Sequence, residues 1–125
     1  MNKTDEILSK IKKLKKISKR YEPEAYSFIL NALDFTMSKL PKRRHINGRE
    51  LLEGIRRYAL DQFGPMAKTV FEYWGISNSL DFGEIVFDLV GAGLLSKQEE
   101  DRLEDFKDSY DFDKVFGSQY EFPGD

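Results

Sequence analysis

The sequence contains no cysteine and a single histidine, His45. The absence of cysteine excludes disulfide bonds, thiolate nucleophiles and cysteine-based metal sites. One histidine excludes a zinc site built from several histidines of one chain. A Ser–His–acid triad would need His45, which lies in a charged stretch that we expect to be an exposed connector. The sequence therefore predicts no catalytic residue, no metal site and no cofactor.

Long apolar runs and nucleotide-binding motifs are also missing. No stretch approaches the roughly 18 to 20 apolar residues that cross a bilayer, and the first residues lack the apolar stretch of a secretory signal. The chain contains no nucleophile elbow, no phosphate-binding Gly-Lys-Ser/Thr loop and no dinucleotide fingerprint. We therefore expect a cytoplasmic protein without a transmembrane segment.

Charge is distributed unevenly, although the net charge is only −2. Residues 1–21 contain eight basic and two acidic side chains, and residues 95–125 contain ten acidic and four basic ones. The two ends can attract each other, or each can form a solvated face. Alternatively, the first residues are a basic arm for nucleic acid or anionic lipid. We favour the first interpretation because an acidic end compensates the basic one.

Apolar residues three and four apart, separated by proline, glycine and capping residues, predict helices along the whole chain. A basic helix over residues 4–20 is followed by one from Pro23 to Leu40. Asn47 with Glu50 predicts a capped helix that ends near Phe63. The remaining predicted helices cover residues 65–75 and 80–91 and a stretch that begins at Ser96.

These helices predict an all-α, single-domain bundle of five or six helices with short connectors rich in glycine and proline. We divide the chain into a basic amphipathic N-terminal helix (1–20), a helical core (21–116) and a C-terminal tail (117–125). Helices 24–40 and 80–91 should be the most buried. Further apolar contacts to the core are expected from Leu103, Phe106, Phe112, Val115 and Phe116.

A basic connector precedes the helix that Asn47 is predicted to cap. Its candidate residues for binding an anion or nucleic acid are Lys42, Arg43, Arg44, His45 and Arg49. A helix N-terminus offers unpaired N–H donors, and arginine forks beside it suit phosphate or carboxylate. The alternative is that these side chains only solvate an exposed connector. Arg49, Glu53 and Arg57, each four residues apart, predict an ordinary surface ion-pair ladder.

Aromatic side chains cluster in the second half of the predicted core. Tyr58, Phe63, Tyr73 and Trp74 can line a pocket or a base-stacking platform. Aromatic residues at helical spacing are more often part of a core, and we favour that interpretation.

Four runs resemble a small bacterial family of conserved hypothetical proteins of unknown function. They are YEPEAYSFILNALDFTMSKL, RHINGRELLEGIRRYALDQFGPMAKTVFEYWGI, DFGEIVFDLVGAGLLSKQEEDRLEDF and YDFDKVF. The resemblance covers about residues 21–116 and implies a discrete domain. It implies no activity, cofactor or catalytic residue.

For function, we expect a non-enzymatic helical interaction module that binds another macromolecule, either an unknown protein partner or a second copy of itself. The alternative is a nucleic-acid or phosphate-binding protein that uses the basic connector 42–49. A small-molecule enzyme whose site no linear motif reveals is the third hypothesis.

Overall fold

A computed structural model describes residues 3–42 and 44–95 together with Phe106, Val115 and Phe116. Within these residues every regular element is helical, which confirms the predicted all-helical class for the described chain. The elements are α1 (Lys3–Ser18), α2 (Pro23–Ser38), α3 (Gly48–Phe63), a 3-10 turn (Gly64–Met66), α4 (Ala67–Tyr73) and α5 (Ser79–Gly91). The predicted helix from Ser96 and the tail 117–125 lie outside the described residues, so the helix count of the full chain stays a prediction.

Local chemistry explains where these helices begin and end. Pro23 occupies the first turn of α2, where its missing N–H costs no hydrogen bond. The Asn47 side chain accepts from the Glu50 N–H, and Glu50 accepts from the Asn47 N–H, which is the predicted capping box of α3. Gly64 ends α3 with a positive φ of 53°. The same reciprocal cap, Asn78 with Asp81, opens α5.

The core lies around α2, which packs against α1, α3 and α5. Phe28 and Ile55 are buried and Val86 is partly buried, as the helical pattern requires. The prediction that α2 and α5 are the most buried helices is only half right. Six residues of α3 are buried, as many as in α5, whereas α2 buries five. The apolar stripe of α3 faces α2 directly, which is why α3 is as central as α5.

A glycine sets the close approach of α2 and α3. A methyl group added at Gly54 would lie 1.7 Å from Thr36 Oγ1 and 2.9 Å from Thr36 Cβ. Thr36 Oγ1 is fixed in that place because it donates a 2.7 Å hydrogen bond to the Ala32 carbonyl. Any side chain larger than hydrogen at position 54 would therefore separate the two helices.

The N-terminal helix packs on the core, but through few residues. Ile11 is the only residue of α1 that is buried among those whose side chains are described, and Ile7 and Leu14 are partly buried. Leu8, on the neighbouring side of the helix, is 46% exposed. The amphipathic stripe thus docks α1 on α2 and leaves one of its apolar side chains at the surface.

The acidic C-terminal segment contributes two buried phenylalanines. Phe106 lies against Gly83 of α5, where an added methyl group would be 2.8 Å from Phe106 Cβ. Phe116 contacts Phe71 and Phe82, with ring centroids 5.0 Å and 6.4 Å apart. The predicted inward positions of Phe106 and Phe116 are confirmed. Leu103 and Phe112, predicted to join them, lie outside the described residues.

Candidate functional site

The basic connector between α2 and α3 is at the surface. Lys42, Arg44, His45 and Arg49 are exposed, and Arg43 lies outside the described residues. Arg44 stands directly before the α3 N-terminus and Arg49 lies in the first turn of that helix. The structure therefore places Arg44, His45 and Arg49 near the N-terminus of α3.

That entrance is already occupied by a carboxylate of the chain. Arg44 Nη1 and Nη2 donate to Glu50 Oε1 and Oε2 at 3.0 and 2.7 Å, a bidentate pair. Glu50 Oε1 also accepts from the Asn47 N–H at 3.1 Å. The Arg44 pair, followed by the hydrogen bond from Asn47, lowers the pKa of Glu50 to about 2. An external phosphate would have to compete with Glu50 for the arginine fork, and the anion-binding assignment stays a prediction.

The closest ion pair along α3 joins residues three apart rather than the four apart that the sequence predicts. Glu53 pairs with Arg56, three residues later, and the Arg56 Nε donates to Glu53 Oε2 at 3.0 Å. This pairing lowers the pKa of Glu53 below its usual value. Residues three apart are also neighbours on a helix, so Arg56 makes the close pair with Glu53, and Arg57 adds a smaller electrostatic attraction to the same carboxylate.

A polar cluster that the sequence analysis did not single out surrounds Asp81, which is 1% exposed. Its Oδ1 accepts from Arg20 Nη2 and from the Tyr21 hydroxyl, both at 2.8 Å. Its Oδ2 accepts from the Ser77 and Asn78 N–H groups at 2.7 and 3.2 Å. Asp81 therefore joins the α1–α2 linker to the N-terminus of α5.

Two tyrosines extend this cluster along α5. The Tyr21 hydroxyl also lies 2.9 Å from Glu84 Oε2, and the Tyr26 hydroxyl donates to Asp88 Oδ2 at 2.8 Å. Burial of the ring, followed by the hydrogen bonds to Asp81 and Glu84, raises the pKa of Tyr21 above its usual value. Tyr21 is therefore held in its protonated form, as a hydrogen-bond donor.

The chemistry open to Asp81 is limited because both of its oxygens already accept hydrogen bonds. Both oxygens of Asp81 bind groups of the chain itself, so none is left for the proton of a substrate. No buried polar side-chain atom of the described residues lacks a hydrogen-bond partner. Those residues also contain no group of three histidine, cysteine or acidic side chains placed to hold a metal ion. We assign the cluster a positioning role.

A groove of about 540 Å³ lies between α1, α2 and α3. Its apolar wall consists of Leu8, Ile11, Pro23, Phe28, Tyr58, Phe63 and Trp74. Its polar lining consists of Lys12, Glu24, Ser27, Asn31 and Gln62. Except for the half-buried Ser27, these polar residues are exposed, so they form the rim.

Phe28 is the centre of the aromatic floor. Its ring centroid lies 5.3 Å from that of Tyr58 and 5.5 Å from those of Phe63 and Trp74. These three rings are partly buried, so they belong to the core on one side and to the groove on the other. Tyr73 differs, because it is 81% exposed and does not line the groove.

The sequence indicates Tyr58, Phe63 and Trp74 as possible pocket residues but favours a core role for them, and it does not indicate the groove or the position of Phe28 in it. The apolar periodicity of α1 shows that Ile7, Ile11 and Leu14 face inward. It does not show that Tyr58, Phe63 and Trp74 stay partly exposed beside α1, because that depends on how far apart α1 and α3 lie. The Asp81 cluster did carry a local signal, since Asn78 and Asp81 have the spacing of a capping box.

No helix among the described residues has both the length and the apolar character needed to cross a membrane. Comparison with protein-family models, with curated proteins and with solved structures finds no match to this chain. The resemblance to a bacterial family over residues 21–116 therefore stays a prediction.

Proposed function

We propose that this protein is a non-enzymatic helical interaction module, and that it binds a segment of a partner protein in the groove between α1, α2 and α3. The observation that carries the proposal is the arrangement of the groove. Its floor is the aromatic group around Phe28 and Trp74, and its polar side chains stand at the rim. A cytoplasmic location and membership of the bacterial family belong to the same proposal.

The distribution of polar groups favours a protein segment over a small molecule. Sites for small molecules place a few polar groups inside the cavity, where they fix the orientation of the ligand. Here the rim residues Lys12, Asn31 and Gln62 are exposed, and the rest of the lining is mostly apolar, with Ser27 as its half-buried polar residue. An apolar centre with a polar rim is the usual anatomy of a protein interface.

The hydrogen bonds made by the buried Asp81 carboxylate support a non-enzymatic role. A general acid or base must be within hydrogen-bond reach of the group that it serves. Asp81 is instead enclosed by Arg20, Tyr21 and the two N–H groups before α5. Turnover of a metabolite that is lost on a single polar substitution would contradict this part of the proposal.

The test uses Trp74, the only tryptophan of the chain, as a reporter in the groove. Peptides without tryptophan are selected from a displayed library against the full chain, and the Trp74 emission is then titrated with them. Leu8→Ser should weaken binding, because Leu8 lines the groove and is 46% exposed. Met66→Ser is the matched control, since Met66 is 54% exposed and lies outside the groove.

We expect roughly a 10-fold loss of affinity for Leu8→Ser, as about 1.4 kcal/mol of apolar contact is lost. Met66→Ser should bind like the wild type. If no selected peptide changes the Trp74 emission, or if both variants bind equally, the groove is not the binding surface.

A second candidate is a nucleic-acid or phosphate binder that uses Lys42, Arg43, Arg44, His45 and Arg49. The exposed Arg49 in the first turn of α3 supports it. Affinity for RNA or DNA should then fall steeply with rising salt, because bound phosphates release counterions. The double variant Arg43→Ala/Arg44→Ala should bind more weakly, and unchanged binding would exclude this site.

A further inference from the structure

The helix α1, which supplies one wall of the groove, is strongly basic, and Lys12 is its one lysine among the residues that line the groove. Residues 9–20 contain seven basic side chains and no acidic one. We infer that the partner segment is an acidic amphipathic helix, whose apolar face enters the groove and whose carboxylates meet the lysines of α1. This inference rests on the proposed function, because it names the partner of the same groove.

Two of these lysines stand on the side of α1 that faces the groove. Lys12 lines the groove, one helical turn after Leu8, and Lys16 follows one turn later on the same side. Both are exposed. Lys15, by contrast, pairs with Glu22 at 3.4 Å, and Arg20 pairs with Asp81. Lys12 and Lys16 are thus the cations that a bound segment would meet first.

The rest of the rim offers little charge to oppose an acidic partner. Asn31 and Gln62 are neutral, and Glu24 is the one acidic residue among those that line the groove. Glu24 lies in the first turn of α2, where the helix dipole stabilises a negative charge. The positive charge of Lys12 offsets the negative charge of Glu24 in the lining, and Lys16 adds a further positive charge beside the groove.

The length of the groove suits a short helix. Its lining on α2 extends from Pro23 to Asn31, which corresponds to about 12 Å at 1.5 Å per residue. Apolar side chains at positions i, i+4 and i+7 of a helix span about 10.5 Å on one face. Nucleic acid also suits lysines, but its bases stack on exposed aromatic rings, whereas Phe28 is 5% exposed and Trp74 is partly buried. The combination of apolar floor and basic wall therefore favours an acidic amphipathic helix.

The experiment compares two synthetic helical peptides that share three leucine anchors at i, i+4 and i+7. One carries glutamate at the remaining exposed positions and the other carries lysine, and neither contains tryptophan. Binding to the full chain is followed by Trp74 emission. We expect the acidic peptide to bind at least about 10-fold more tightly, with an advantage that shrinks as salt rises.

Charge reversal on α1 provides the matched control. Lys12→Glu/Lys16→Glu should reduce or reverse the preference for the acidic peptide, because both changes lie beside the groove. Lys10→Glu/Lys13→Glu changes the net charge by the same amount, but Lys10 and Lys13 line a separate groove between α1 and α5. This control should keep most of the preference for the acidic peptide over the lysine peptide. An equal loss of that preference in both variants would overturn the inference.

The remaining outcomes separate the inference from the proposed function. Equal binding of the acidic and lysine peptides would overturn the acidic partner and leave the groove as a binding surface. Failure of both peptides to change Trp74 emission would count against the groove itself. Single-stranded RNA that changes Trp74 emission and displaces the acidic peptide would replace the protein partner with nucleic acid. Sedimentation that shows a dimer lost in Leu8→Ser would make a second copy the occupant.

Discussion

Substitution of Gly54 by alanine tests the close approach of α2 and α3 that the structure shows. The added methyl group would lie 1.7 Å from Thr36 Oγ1, 2.9 Å from its Cβ and 3.1 Å from its Cγ2. Rotation of Thr36 about χ1 can relieve the first contact, but it breaks the hydrogen bond from Oγ1 to the Ala32 carbonyl. It leaves the contact with Cβ, so the two helices must also move apart.

Three contributions determine how much Gly54→Ala should change the free energy of unfolding. Alanine is favoured over glycine inside a helix by about 1 kcal/mol. Loss of the Thr36 hydrogen bond costs about 1 kcal/mol, and an overpacked contact between helices costs about 1–3 kcal/mol. The net change is a loss of about 1–3 kcal/mol in the free energy of unfolding.

Urea denaturation, followed by circular dichroism and Trp74 fluorescence, measures this change, with Gly91→Ala as the control. Gly91 is also helical, but an added methyl group there meets no atom within 4 Å. The control should therefore be stabilised by about 0.5–1 kcal/mol. In a Thr36→Ala background, Gly54→Ala should cost at least about 1 kcal/mol less. If Gly54→Ala is as stable as Gly91→Ala, the helices do not approach each other as described.

Three further predictions concern the polar contacts. Asp81→Ala should lower the free energy of unfolding, measured in urea, by about 3–5 kcal/mol, because buried donors lose their acceptor. Glu84→Ala, at a half-exposed residue, should lower the free energy of unfolding by less. The raised pKa of Tyr21 means that its contribution to stability is complete below about pH 10 and is lost as pH rises further, so Tyr21→Phe should flatten the alkaline loss. The lowered pKa of Glu50 means that its contribution is complete above about pH 4.5 and is lost between about pH 4.5 and 2. Glu50→Gln should therefore flatten stability measured across that acidic range.

The fold was predictable because its helix boundaries depend on neighbouring residues. Asn47 and Glu50 make the cap that begins α3, and Pro23 begins α2. The same rule finds the start of α5 once aspartate is accepted at the third position after the cap, as in Asn78 and Asp81. A local rule of this kind requires no knowledge of the rest of the fold.

The candidate groove was not predictable for the opposite reason. Its walls come from three helices and from Trp74, so it depends on distances between residues far apart in sequence. Ile11 and Leu8 both belong to the apolar residues three and four apart in α1, yet Ile11 is buried and Leu8 remains 46% exposed. The basic connector shows a related limit. Its sequence indicates Arg44 as a phosphate ligand, whereas the fold places Glu50 against that side chain.

The linker between α1 and α2 connects the polar cluster to the groove. Arg20 pairs with Asp81, and the Glu22 N–H donates to the Trp74 carbonyl at 3.1 Å. Gly75 permits this contact, since an added methyl group there would lie 2.4 Å from the Arg20 carbonyl oxygen. The linker thus fixes the direction in which α1 leaves the core, and it also fixes the position of Trp74. Both α1 and Trp74 line the groove. The shape of the groove is therefore set in part by residues that do not line it, among them Arg20, Gly75 and Asp81.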